Sequence, residues 1–256
     1  MNHFSKLIIA ASLTSAATNA GLMYDQDVTP DVIFGSGNAN GAFTVDSRNG
    51  MELGLRAKLR FDENNQPASV YNSDGAGKYY FDNIAPPTGF TWGPKYINSP
   101  STAIWNFDFS VNSNVDGSGS VLSDFTYLLE IDFDSGVNTQ FLAFDMINGD
   151  DADHAVGNNA TGNGAGVSDP ANYFSLINSN NVAQNSWNVE FFNDEQFTFT
   201  NTDDGLYDIR LSAFDNGVEI ASTSIQVVPG DGAMEVPAPA TALLMLAGGL
   251  MLLRRR

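Results

Sequence analysis

Histidine is the side chain best suited to proton transfer near neutral pH, and this 256-residue chain has two, His3 and His154. His3 falls in a stretch that reads as a removable leader. A histidine triad would therefore be built on His154, inside NGDDADHAVGNNATGNGAGVSDP, where no strand or helix periodicity holds a catalytic group in place. Cysteine is absent, which excludes thiol nucleophiles, disulfides and thiolate metal sites, and zinc lacks a donor set. Carboxylates are plentiful, 30 in all. Glycoside hydrolysis needs two of them flanking the scissile bond. Glu130 and Glu190 both fall on expected strands, but two acids among so many mark no site, and the chain reads as non-enzymatic. A hard cation needs several oxygen ligands close together. Asp150, Asp151 and Asp153, with Asp145 just before them, form a candidate site for a structural Ca²⁺, the one cofactor the sequence offers. Glu130, Asp132 and Asp134 begin like an EF-hand loop, but Ser135 stands where that loop needs glycine and Phe141 where it needs glutamate.

Cations are as scarce as acids are common. Of 11 lysines and arginines, Lys6 and Arg254 to Arg256 lie in the two ends, leaving seven in the body against all 30 acids. Such a surface repels nucleic-acid phosphates and anionic headgroups, so nucleic acid is excluded as a partner. Three of the seven, Arg56, Lys58 and Arg60, alternate along one stretch, and Glu130, Asp132 and Asp134 alternate along another. Opposite charges across a ladder contribute about 0.2–1 kcal/mol per pair, so these stretches are expected to be neighbouring strands. The functional alternative is an open cationic stripe for an anionic polysaccharide.

The elements that must carry these residues are strands. Leu53, Leu55, Ala57, Leu59 and Phe61 alternate with polar neighbours, as do Trp105, Phe107, Phe109 and Val111, and Leu129, Ile131 and Phe133. Further strands are expected over 141–147, 187–192, 197–200, 207–214 and 219–228, the last two joined as a hairpin across Asp215-Asn216-Gly217. Sustained helical periodicity is missing from the body. Eighteen phenylalanines and 43% hydrophobic residues supply a core. Short strands and Gly/Asn/Asp turns predict an all-β fold, an antiparallel β-sandwich of jelly-roll or immunoglobulin-like type over 21–228. The proline-rich stretch 83–100 reads as a rigid loop, and the stretch 148–170 as a long acidic one.

The ends read as addresses. Residues 1–20 carry Lys6, an apolar run over 7–13 and small residues up to a cleavage site after Ala20, the layout of a signal peptide with a helical centre. A linker over 229–235 leads to Val236-Pro237-Ala238-Pro239. The uncharged run 240–253 follows, and Arg254, Arg255 and Arg256 come after it. Positive charge after an apolar helix holds that side of it in the cytoplasm, and the run is short against the roughly 20 residues of a full span. A transient membrane hold is the expectation.

The tail over 236–256 resembles the PEP-CTERM sorting signal in its motif, short hydrophobic helix and arginine cluster. Ala238 stands where that family most often has glutamate. The resemblance covers about twenty residues of 256. It implies recognition by an exosortase-type enzyme in the inner membrane of a Gram-negative bacterium that makes exopolysaccharide, with delivery to the cell surface or beyond. The sequence thus points to an exported cell-envelope or extracellular-matrix protein. One alternative is a carbohydrate-binding module using Tyr79, Tyr80, Trp92 or Tyr96 to stack on sugar rings. A second is a polysaccharide-acting enzyme with a carboxylate pair.

Overall fold

The computed structural model describes residues 21–232 except 36, 63, 65, 67, 87–90, 93–95, 98–100 and 150–152. Ala20, Asp150, Asp151 and the tail residues 236–256 lie outside the described residues, as do the leader and tail helices expected there.

The described chain is all-β, with two large sheets and one five-residue helix, α1 (Tyr173–Ile177). The first sheet has strand order β1 (Met23–Gln26), β2 (Phe43–Arg48), β3 (Met51–Leu59), β7 (Trp105–Asn112), β11 (Val182–Trp187) and β10 (Ala155–Gly157). Every pairing in it is antiparallel. The second has order β4 (Lys78–Phe81), β13 (Val218–Pro229), β12 (Tyr207–Asp215), β8 (Thr126–Asp132) and β9 (Phe141–Phe144). Only the β4–β13 pairing in this sheet is parallel. Two short strands, β5 (Thr91–Trp92) and β6 (Tyr96–Ile97), pair with each other inside the stretch expected to be a plain loop.

The two sheets share one hydrophobic core. Leu53, Leu55 and Ala57 of β3 and Phe107, Phe109 and Val111 of β7 meet Leu129 and Ile131 of β8, Ile209 and Leu211 of β12, and Ile225 and Val227 of β13. Trp105 joins the layers directly, stacking on Phe81 with ring centroids 6.3 Å apart and meeting Tyr207 at 6.5 Å. The period-two alternation of the sequence is what delivers these side chains to one face. The β12–β13 hairpin turns at Asn216 (φ 48°) and Gly217 (φ 81°), the paired positive angles of a two-residue turn that matches strand twist.

Three further expectations need correction. Over 187–192 the chain makes a strand end and then a 3-10 turn (Val189–Phe192), because the Asn188 side chain accepts from the Glu190 amide and caps the turn. The strand lies just before, in β11. Residues 197–200 form no ladder; Phe197 and Phe199 simply fill the core. The stretch 148–170 contributes the edge strand β10 to the first sheet.

The outer faces of the sheets differ. On the second sheet, Glu130, Asp208, Ser224 and Gln226 are half-exposed, as a one-sided antiparallel sheet predicts. On the first sheet the polar face is buried too, along all of β7 and nearly all of β3. The cover is the segment 27–42, which packs Val28, Val32 and Phe34 against Phe43 and Val45 of β2. Gly54 of β3 permits the close approach: a Cβ there would lie 2.7 Å from Val28 Cγ1 and 3.2 Å from the Phe43 ring.

Candidate functional site

The densest concentration of chemistry-bearing groups lies between this covering segment and the sheet. β3 and β7 pair with Arg56 opposite Asp108. Alternation sends both away from the shared core, and their charges meet at 2.8 Å, Arg56 Nε to Asp108 Oδ2, with neither side chain exposed. Lys58 Nζ approaches the same oxygen at 3.6 Å. Arg56 is held between the Phe43 ring, 4.2 Å from its Cζ, and the Tyr71 ring at 4.7 Å. Its Nη1 donates to Ala39 O at 2.9 Å, Gly41 O at 2.7 Å and Tyr71 Oη at 3.0 Å. Two buried atoms, Arg56 Nη2 and Asp108 Oδ1, have no hydrogen-bond partner among the described residues.

Lys58 Nζ donates to Asn38 Oδ1 and sits 5.2 Å from the centre of the Phe34 ring. Burial holds its ammonium below the usual lysine range, the nearby Asp108 opposing and Arg56 reinforcing that fall. Farther along β3, Glu52 accepts from Thr29 N at 2.7 Å and Thr29 Oγ1 at 2.9 Å. Burial raises the carboxyl against the pull of those bonds.

Neutral side chains continue the attachment. Gln184 Oε1 accepts from Ile33 N at 2.7 Å while its Nε2 donates to Asp31 O at 2.8 Å. Asn112 Nδ2 donates to Thr29 O at 3.0 Å. Polar side chains of β3, β7 and β11 therefore satisfy the backbone of a loop that has no ladder partner of its own, as buried peptide groups require.

The structure overturns both sequence readings of the cationic face. Arg56, Lys58 and Arg60 do not neighbour Glu130, Asp132 and Asp134, because β3 and β8 belong to different sheets. Asp132 accepts from the Asp134 and Gln140 amides and Asp134 from the Gly136 amide, while Glu130 lies opposite Arg210 of β12. The polysaccharide stripe fails as well, since Arg56 is 0% and Lys58 3% exposed. Arg60 lies over the Phe61 ring at 4.6 Å.

Of the candidate cation ligands, Asp145 and Asp153 are described, and each accepts from donors of the protein. Asp145 is half-buried, accepting from the amides of Ile147, Asn148 and Tyr127. Asp153 accepts from Asn185 Nδ2 at 2.9 Å. Among the described residues no three His, Cys, Asp or Glu side chains cluster as cation ligands. Tyr79 is buried and donates to Ala42 O at 2.6 Å, so it offers no ring to a sugar; Tyr80 is exposed. The side chains of Trp92 and Tyr96 lie outside the described residues. Glu190 accepts from Thr102 Oγ1 at 2.6 Å in the turn after β11, while Glu130 is on the outer face of the second sheet.

His154 is not in a solvated loop. It is fully buried, with Nε2 2.6 Å from Met146 O and its ring against Phe109, Tyr173 and Trp187. Burial pushes its pKa below the usual value. That setting holds a neutral imidazole as a packing group.

Among the described residues no helix is long and apolar enough to cross a membrane. No protein-family model matches the chain, and neither curated proteins nor solved structures yield a match.

Proposed function

We propose that this chain is an exported, non-enzymatic cell-envelope or extracellular-matrix protein of a Gram-negative bacterium, sorted through its PEP-CTERM-like tail. The observation that carries the reading is the order Val236-Pro237-Ala238-Pro239, an uncharged run, then Arg254, Arg255 and Arg256, in a chain that also carries a leader-like stretch over 1–20. An exosortase-type enzyme is the partner this tail would meet while the inner membrane holds it transiently. The body is the cargo, a β-sandwich of jelly-roll or immunoglobulin-like type. Two mostly antiparallel sheets around a common core support that reading. Seven cations against 30 acids keep such a body soluble and away from anionic surfaces.

The test is fractionation of cells expressing the chain with and without Arg254 to Arg256. Sorting by the tail predicts that the truncated chain fails to reach the surface or medium. Equal delivery of both chains contradicts it.

A further inference from the structure

The contact between Lys58 and Asn38 brings together the parts of an amide-forming reaction. A lysine amine touches the carboxamide oxygen of a residue twenty positions earlier in the chain. A carboxylate stands 3.6 Å from the same amine, and its other oxygen, Asp108 Oδ1, is buried with no donor to it among the described residues. The Asn38 amide is itself fixed, Nδ2 donating to Phe34 O at 3.1 Å and Gly35 O at 3.0 Å. Phe34 walls the amine on one side, and the amine itself is buried beneath the covering segment.

We propose that the folded protein joins Lys58 to Asn38 by an intramolecular isopeptide bond, with Asp108 carrying the proton. In the step, Nζ, as the neutral amine, attacks Cγ of Asn38 and gives one proton to the Asp108 carboxylate. The Cγ–Nδ2 bond breaks, and the proton held by Asp108 passes to Nδ2, which leaves as ammonia. One N–H and one C–N bond are lost and one of each is formed, so no oxidant, reductant or second substrate is required. Two physical conditions favour it. Amine and amide are held at contact by the fold, which replaces a bimolecular encounter with an intramolecular one. The buried amine also sheds its proton more readily than an exposed lysine. The product would tie the segment 27–42 covalently to β3, in a chain with no cysteine to do the same.

Tryptic mapping of the purified full chain by mass spectrometry decides the matter. The bond predicts that the peptide ending at Arg48 is recovered joined to the peptide 57–60, uncut at Lys58, at the summed mass less one ammonia. Lys58→Arg should abolish the joined species. Asn38→Asp should yield it again with loss of water instead, so that both products have the same mass. Because Asp108→Asn alone would strip Arg56 of its counter-charge, the proton carrier is tested in the double variant R56M/D108N, which should remain unjoined. Recovery of the wild-type peptides separately, with ordinary cleavage at Lys58, overturns the bond. Full joining in the double variant overturns the role given to Asp108.

Discussion

Both sheets carry an arginine opposite a carboxylate on the neighbouring strand, Arg56 facing Asp108 in the first and Arg210 facing Glu130 in the second. The first pair is sealed beneath the segment 27–42 with neither side chain exposed. In the second, Arg210 is 44% exposed and shares itself with Asp208 at 3.2 Å and the Phe141 ring at 4.4 Å. The difference teaches that alternation of charge along a strand does not reveal how much that charge matters. A pair in water is screened and held loosely, whereas a desolvated pair depends on each partner because removing one strands the other.

The sharpest way to break the comparison is to truncate the buried arginine. Arg56→Ala leaves Asp108 without its partner and opens space between Phe43 and Tyr71; urea unfolding should show a loss of about 3–5 kcal/mol. Next comes the packing that does the sealing. Gly54→Val drives two methyl groups into Val28 and Phe43, and the same measurement should show a loss of about 1–3 kcal/mol from overpacking.

A third variant asks what burial does without an adequate counter-charge. His154 has its pKa lowered by burial, so between that folded value and about 6.5 the unfolded chain binds the extra proton. Stability contributed by neutral His154 is therefore full above about pH 6.5 and declines as pH falls toward the folded pKa. Melting temperatures of the wild type and His154→Phe across that range should converge on acidification, the variant showing the flatter profile. Smallest is Arg210→Ala, expected to cost about 0–1 kcal/mol and to lose what effect it has in high salt.

The alternation on β3 and β7 was legible because Leu53-x-Leu55-x-Ala57 and Trp105-x-Phe107-x-Phe109 have a period only strands use. What the sequence withheld is which polar face would be covered. The cover comes from Val28, Val32 and Phe34, in a stretch broken by Gly35, Gly37 and Gly41 that shows no period. Arg56 was visible as one of few body cations, yet both Asp108 and Glu130 could answer it, and only the strand order chooses between them. The burial of His154 was not legible from its polar neighbours in sequence, because the aromatics that bury it arrive from β7, α1 and β11. At 187–192 the strand-like alternation of Trp187 and Val189 with Asn188 and Glu190 concealed the capping asparagine that turns the chain.

Double-mutant cycles on the two arginine–carboxylate pairs, measured by urea unfolding at low and high salt, test the central claim that the first sheet's charged face is internal. The sealed pair should show a coupling of a few kcal/mol that salt barely changes, and the open pair one under about 1 kcal/mol that salt erodes. Couplings of equal size with equal salt dependence would contradict the account, because they would place Arg56 and Asp108 in water.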